Sequence, residues 1–270
     1  LATRGKRRSL GQHFLIDQKV CSTIAAAALK EAESVQAQAL LEIGPGKGAI
    51  TEHLLAHPVH PPLRIVEKDY AFADHWKSKI GPQGPTEVIC ADFTDLKTED
   101  WLQEERLVVA SNLPYSAGTA IFTLLAEQWR RVPALVLMFQ KEVAERLLAR
   151  PSTADRGSLS VWTQNLWDVE KLIHVPPRAF RPPPEVDSMV VICRARGAPR
   201  IPDSHEGKGA ELWQKFLKLA FTHRRKMLRS GLPSTGPWKA ALEKSGVDPT
   251  LRPEALDWPE WEKLFRALTE

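Results

Sequence analysis

Residues 111–118 read SNLPYSAG and follow the apolar run LVVA. Asn112, Pro114 and Tyr115 therefore sit where a buried strand should end. An amino group attached to an aromatic base is a poor nucleophile, because its lone pair is delocalised into the ring. Two hydrogen-bond acceptors aimed at its two hydrogens can pull the nitrogen towards a tetrahedral shape and restore that lone pair. The Asn112 side-chain oxygen is one such acceptor. The Leu113 carbonyl is the other, since Pro114 stiffens the peptide and removes a competing N–H. Tyr115 can stack on the base. Chemistry of this kind is electrostatic preorganisation, and it needs neither a nucleophilic side chain nor a metal.

An electrophile has to be brought to that amine. LLEIGPGKGAIT places Gly44, Gly46 and Gly48 after a strand and at the start of a helix. Glycines there let a ligand approach the backbone, and a helix N-terminus offers free N–H groups. With Ala49 the run matches the dinucleotide pattern G-x-G-x-x-A. Nineteen residues beyond Gly48, Glu67 ends the next strand in IVEKD, where a carboxylate can hold both ribose hydroxyls. CADFTD then places Asp92 to accept from an adenine amino group, with Phe93 flanking the ring. These strand ends converge on one edge of a parallel sheet, where open α/β folds bind ligands. NAD and S-adenosylmethionine both suit the glycine loop. Hydride transfer calls for a proton-donating side chain at the fourth strand end. The NLPY found there favours attack on a sulfonium methyl.

The elements that must position these groups follow from the pattern. Apolar runs at 39–43, 63–66, 87–91, 107–111 and 134–139 alternate with helical stretches such as 17–33, 69–79 and 116–129. That alternation predicts a parallel sheet with helices on both faces. Two more strands are expected at 169–175 and 188–194, joined by PPRAFRPPPEVD, whose five prolines exclude an α-helix. They are expected to form an antiparallel pair at one sheet edge. Beyond residue 208 there is no strand pattern, only amphipathic helical ones broken by Gly and Pro. A domain boundary is placed near 198, giving 1–197 with a basic segment over 1–16, and a helical domain over 198–270.

The 270 residues are 43% hydrophobic, enough for a packed core, and the formal charge is +4. Positive charge is bunched at Arg4, Lys6, Arg7 and Arg8, and again at Arg224, Arg225, Lys226 and Arg229. Taken alone, each run reads equally as a solvated face or a phosphate-binding one. The three cysteines, Cys21, Cys90 and Cys193, match neither a disulfide framework nor a zinc spacing. Cys90 and Cys193 lie in apolar runs and read as core residues. No apolar stretch is long enough for a membrane-spanning helix, and the basic N-terminus lacks a signal-peptide core. A cytoplasmic protein is expected. His53, His57 and His60 have no acidic partner in the pattern and are read as no metal site.

The motif order resembles the ribosomal RNA adenine dimethyltransferases of the bacterial small-subunit type. LGQHFLIDQ (10–18), LEIGPGKGAIT, VEKD, ADFTD and NLPY carry the likeness, with MFQKEVAERLLA (138–149), FRPPPEVDS (180–188) and FTHRRKMLRSGL (221–232). The resemblance implies an α/β, Rossmann-like, seven-stranded S-adenosylmethionine-dependent methyltransferase sheet with a small all-helical C-terminal domain. It implies dimethylation of two adjacent adenosines near the 3′ end of small-subunit ribosomal RNA, and a role in ribosome biogenesis. Carried over by position, His13, Leu15, Gly44, Gly46, Glu67, Asp92, Phe93 and Asn112 contact the cofactor. Asn112, Leu113 and Tyr115 hold the target base, and Phe180 stacks on its other face. The target adenine must then be unpaired or flipped. Both basic clusters become candidates for RNA contact. The expected partner is the pre-assembled small subunit, and the expected state is a monomer.

His13 stands where the family pattern has Asn, and His223 where Gln is usual. Other readings stay open at this point. They are the large-subunit adenine methyltransferase of macrolide resistance, a mitochondrial homologue doubling as a transcription factor, a non-catalytic ribosome assembly factor and an NAD dehydrogenase.

Overall fold

The structure is a computed structural model, and it describes residues 13–80, 86–233 and 235–270. The basic run Arg4, Lys6, Arg7 and Arg8 and the start of LGQHFLIDQ lie outside the described residues.

The chain opens with a two-residue strand β1 (Phe14–Leu15) and helix α1 (Gln18–Ser34). The Asp17 carboxylate caps α1 by accepting from the backbone N–H groups of Lys19 and Val20. There follow β2 (Ala39–Ile43), α2 (Thr51–Leu55), β3 (Leu63–Glu67), α3 (Tyr70–Ile80) and β4 (Thr86–Cys90). Then come α4 (Thr98–Trp101), β5 (Leu107–Asn112), α5 (Gly118–Ala126), β6 (Ala134–Gln140) and α6 (Lys141–Leu148). Next are α7 (Ser158–Leu166), β7 (Trp167–Val175), the two-residue β8 (Phe180–Arg181) and β9 (Ser188–Ala195). The remainder is helical: α8 (Gly207–Thr222), α9 (Leu228–Gly231), α10 (Pro237–Ser245) and α11 (Trp258–Thr269).

Seven strands form one sheet in the order β4-β3-β2-β5-β6-β9-β7. Strands β2 to β6 run parallel, and β9 lies antiparallel to both β6 and β7. The late antiparallel pair thus sits at the edge, as expected. The sheet is Rossmann-like α/β. Its inner strands read as continuous apolar runs because both faces are covered. Alternation within them divides the core into two layers. Leu41, Ile43, Leu107 and Val109 enter one, and Leu40, Val108 and Ala110 the other. A third cluster belongs to the C-terminal helices, where the Trp213 ring meets Trp261 and Phe265 edge-on at 5.8 and 5.4 Å. Val161 of α7 packs into that cluster.

Two local expectations need correction. Cys193 is buried, but Cys90 is exposed. It ends β4, which has a neighbour on one side only, so an apolar run there does not guarantee cover. Helix α5 is shorter than the 116–129 pattern, because Ser116 and Ala117 belong to the turn that follows Pro114. The proline-rich link contains no α-helix. It holds a single 3-10 turn (Pro177–Ala179) followed by β8, which pairs with β1.

Candidate active site

The parallel strands point their C-terminal ends to one edge. Strand β2 pairs with β3 on one side and β5 on the other, so the loops leaving β2 and β5 diverge and open a crevice. A cavity of about 650 Å³ fills it. Gly44, Gly46, Glu67, Asp92 and Phe93 line it from the ends of β2 and β3 and the loop after β4. Asn112, Leu113 and Tyr115 line it from the end of β5, and His13, Leu15 and Phe180 from the β1–β8 ribbon. All the residues expected to serve cofactor or base are therefore brought together. Arg224, Arg225, Lys226 and Arg229 are not among them. They are exposed on the turn after α8 and on α9.

The glycine loop is held from two sides. Gly46 donates its N–H to Glu67 Oε2 at 3.0 Å, and its carbonyl accepts from the Trp76 indole at 3.0 Å. Glu67 Oε1 accepts from the Asp69 N–H at 2.8 Å. A buried carboxylate thus props the loop, and each oxygen keeps a lone pair for a further donor. Gly48 has φ +86°, and a Cβ there would come within 2.2 Å of Trp76. Both facts require glycine. At Gly44, by contrast, a Cβ would meet no atom within 4 Å. It would fill the space of the cavity, and the φ of +67° still favours glycine there.

Asp92 is already engaged. Its Oδ1 accepts from the backbone N–H and the hydroxyl of Thr94 at 3.0 and 2.8 Å, and its Oδ2 pairs with the Lys68 ammonium. Lys68, helped by the Thr94 donors, holds the Asp92 carboxyl down to about 2. Glu42 shows the opposite case. Buried and hydrogen-bonded from the Thr51 hydroxyl at 2.7 Å, it is pushed up to about 8 by burial, with the Glu67 charge adding to the rise.

One wall of the cavity is aromatic. The rings of His13 and Tyr115 lie 5.9 Å apart at 30°, and His13 Nδ1 donates to the Pro182 carbonyl at 2.8 Å. The Tyr115 hydroxyl meets Ser188 Oγ at 2.6 Å. Phe180 lines the cavity although it is only 3% exposed; Leu15 pairs with it across the ribbon and shares its buried cluster. Phe14 also lines the cavity, with the Lys47 ammonium 4.3 Å above its ring.

Four residues escaped the reading of the sequence. Glu42 had a signal, a carboxylate inside a strand otherwise wholly apolar. Lys68, Phe14 and Ser188 sit inside motifs already singled out, but their contacts join segments far apart in the chain. Arg224 has a structural tie as well, donating to the Ala154 carbonyl at 2.6 Å. His53 pairs with Gln18, while His57 and His60 turn to backbone carbonyls.

The family model for ribosomal RNA adenine dimethylase matches residues 3–269. The chain is 37% identical over 264 residues to a ribosomal RNA small subunit methyltransferase A of Chromobacterium violaceum, covering 97% of this chain and 95% of that one. It is 39% identical over 265 residues to the protein of that name in Paramagnetospirillum magneticum, covering 97% and 90%. Among solved structures it resembles the 23S rRNA methyltransferase ErmE, with TM-score 0.68 and 26% identity over 95% of this chain and all (100%) of that one. A dimethyladenosine transferase from Plasmodium falciparum shares the fold, with TM-score 0.75 and 23% identity over 93% and 96% of the two chains.

Proposed function

The chain belongs to the ribosomal RNA adenine dimethylase family, and from that membership we propose that it uses S-adenosylmethionine to dimethylate the N6 amino groups of two adjacent adenosines near the 3′ end of small-subunit ribosomal RNA. One observation supports this reading most. A single cavity gathers a propped glycine loop, two carboxylates at successive strand ends, and Asn112, Leu113, Tyr115 and Phe180.

The residues suit the cofactor. Glu67 has acceptor capacity left for ribose hydroxyls, and the open space beside Gly44 leaves room for a ligand against the backbone. Asp92 serves the adenine amino group once Lys68 yields its place, and Phe93 supplies an apolar edge. His13, Leu15 and Gly46 complete the walls. When bound, the cofactor supplies an electrophilic methyl group on a sulfonium.

The chain's own contribution is to orient the amine. In the first transfer Asn112 Oδ1 and the Leu113 carbonyl accept its two hydrogens, so that its lone pair points into the cavity; in the second, the one hydrogen left keeps one of these bonds. Tyr115 and Phe180 offset the stacking that the adenine loses on leaving the RNA. The proton released after methylation goes to water, since no step needs a protein base of its own.

Phosphate contact falls to the exposed Arg225, Lys226 and Arg229, with Arg224 shared between RNA and the α6–α7 loop. The helical part after residue 198 is then the RNA-reading domain. The substrate is the pre-assembled small subunit, met by a monomer in the cytoplasm.

The test is methyl transfer onto unmethylated small and large subunits, with modified nucleosides mapped by mass spectrometry. Dimethyladenosine at two adjacent positions of small-subunit RNA is expected. Label confined to large-subunit RNA would favour the ErmE-like reaction, and no label on either would refute the reading.

A further inference from the structure

Ser188 is the last residue of FRPPPEVDS, and the chemistry above leaves it without a task. It begins β9, where it is fully buried and held on both sides, opposite Gln140 of β6 and Val175 of β7. Its neighbour Asp187 is fixed too. The Asp187 carboxylate pairs with His174 at 3.0 Å, and its carbonyl accepts from the Lys141 N–H at 2.9 Å. Ser188 Oγ is thus a post set in the sheet, with one rotor left.

Tyr115 lies beyond the end of β5, and β6 runs between β5 and β9. Its side chain therefore reaches over the end of β6, across about two strand spacings of 4.8 Å each, to meet Ser188 Oγ at 2.6 Å. Tyr115 is half-buried, and burial raises its hydroxyl above the ordinary phenol value, so the group stays neutral and either hydroxyl of the pair can donate. A phenol tied at its far end cannot swing about its Cα–Cβ bond. Its ring face is left to the cavity, and its hydroxyl is spent.

We propose that Ser188 is a positioning residue that holds the Tyr115 ring in place across the base-binding side of the cavity, so that Tyr115 works through its ring face and not its hydroxyl. This rests on the adenine-methylating role of the site.

Tyr115→Phe, Ser188→Ala and the double variant decide it in single-turnover methyl transfer on small subunits with both ligands saturating. Tyr115→Phe cuts the same tie and should slow transfer about as much as Ser188→Ala does. Ser188→Ala should be about tenfold slower with cofactor affinity unchanged, because a buried hydroxyl without a partner turns towards water and takes the ring with it. The double variant should be no slower than either single one, because both cut the same bond. Should Ser188→Ala lose cofactor binding through misfolding, the near-isosteric Ser188→Cys replaces it, with an intermediate rate expected. Multiplying defects, a Tyr115→Phe slower than Ser188→Ala, or a wild-type rate in the serine variant that folds would overturn the proposal. A wild-type chain that methylates no subunit would instead overturn the functional reading beneath it.

Discussion

Replacing Glu67 by Gln separates two jobs that one carboxylate performs. The side chain is 5% exposed and accepts from the N–H groups of Gly46 and Asp69 at 3.0 and 2.8 Å. A glutamine of the same length can keep one of these bonds through its oxygen. Its NH2 group then faces the other N–H, donor against donor. A hydrogen bond to a charged group contributes about 1.5–3 kcal/mol, so the ligand-free protein should lose that much stability. For a chain of this size the unfolding midpoint should fall by about 3–8 °C. The loss of charge also weakens any ribose contact by a similar amount, which lowers cofactor affinity about 10- to 150-fold. Thermal unfolding without ligand reads the first job and calorimetric titration with S-adenosylmethionine the second. An unchanged midpoint beside weakened binding would show that the carboxylate does not prop the glycine loop. If neither quantity moves, the assignment of Glu67 is wrong.

Asn112→Ala removes one of the two acceptors for the amine, so single-turnover methyl transfer should slow by about 10²–10³-fold with RNA affinity nearly unchanged; a rate within about threefold of wild type would place the chemistry elsewhere. Glu42→Gln tests a buried proton. Because folding raises Glu42 to about 8, the folded state holds a proton that the unfolded chain releases in the ordinary carboxylate range. That contribution is full below the ordinary range and is lost as pH rises towards about 8, with a slope of at most about 1.4 kcal/mol per pH unit. The variant keeps the Thr51 bond and should flatten this fall in unfolding midpoints measured from pH 5 to 9; parallel curves for both proteins would refute it. Replacing Arg225 and Lys226 by Ala should weaken RNA binding and lower the slope of log affinity against log salt by about 1.4 to 1.8, with cofactor affinity unaffected. A slope that stays put makes the cluster a solvated face.

Most of the sheet was legible because its inner strands are buried on both faces. Runs such as ALLEI and ALVLMF have no polar alternation to blur them, and Gly44 closes the first while Pro133 opens the second. The gathering of the cavity-lining residues was legible for a related reason. In a parallel sheet the C-terminal ends lie together, so residues just after successive strands must meet. Contacts between distant segments left no such mark. Nothing near Ser188 in the chain announces Tyr115, 73 residues away, and nothing near Lys68 announces Asp92 as its partner. Cys90 misled because an apolar run does not say whether its strand is central or at the edge. Phe180 was read from its own motif, while its strand partner Leu15 stands 165 residues earlier in the chain.

The ribbon that joins those two has a bearing on what this chain can tolerate. Leu15 lies opposite Phe180, the N–H groups of Ile16 and Asp17 both donate to the Ala179 carbonyl, and Asp17 already caps α1. There is no spare residue between the ribbon and the helix. Inserting or deleting one residue at Ile16 would exchange the faces of Phe14 and Leu15, turning one ring out of the cavity wall and exposing the side chain that backs Phe180. Substitutions in this stretch can be absorbed by repacking, whereas a change in length cannot. Here the chain stores distance as well as chemistry, and the number of residues from His13 to Asp17 is itself an inherited dimension of the pocket.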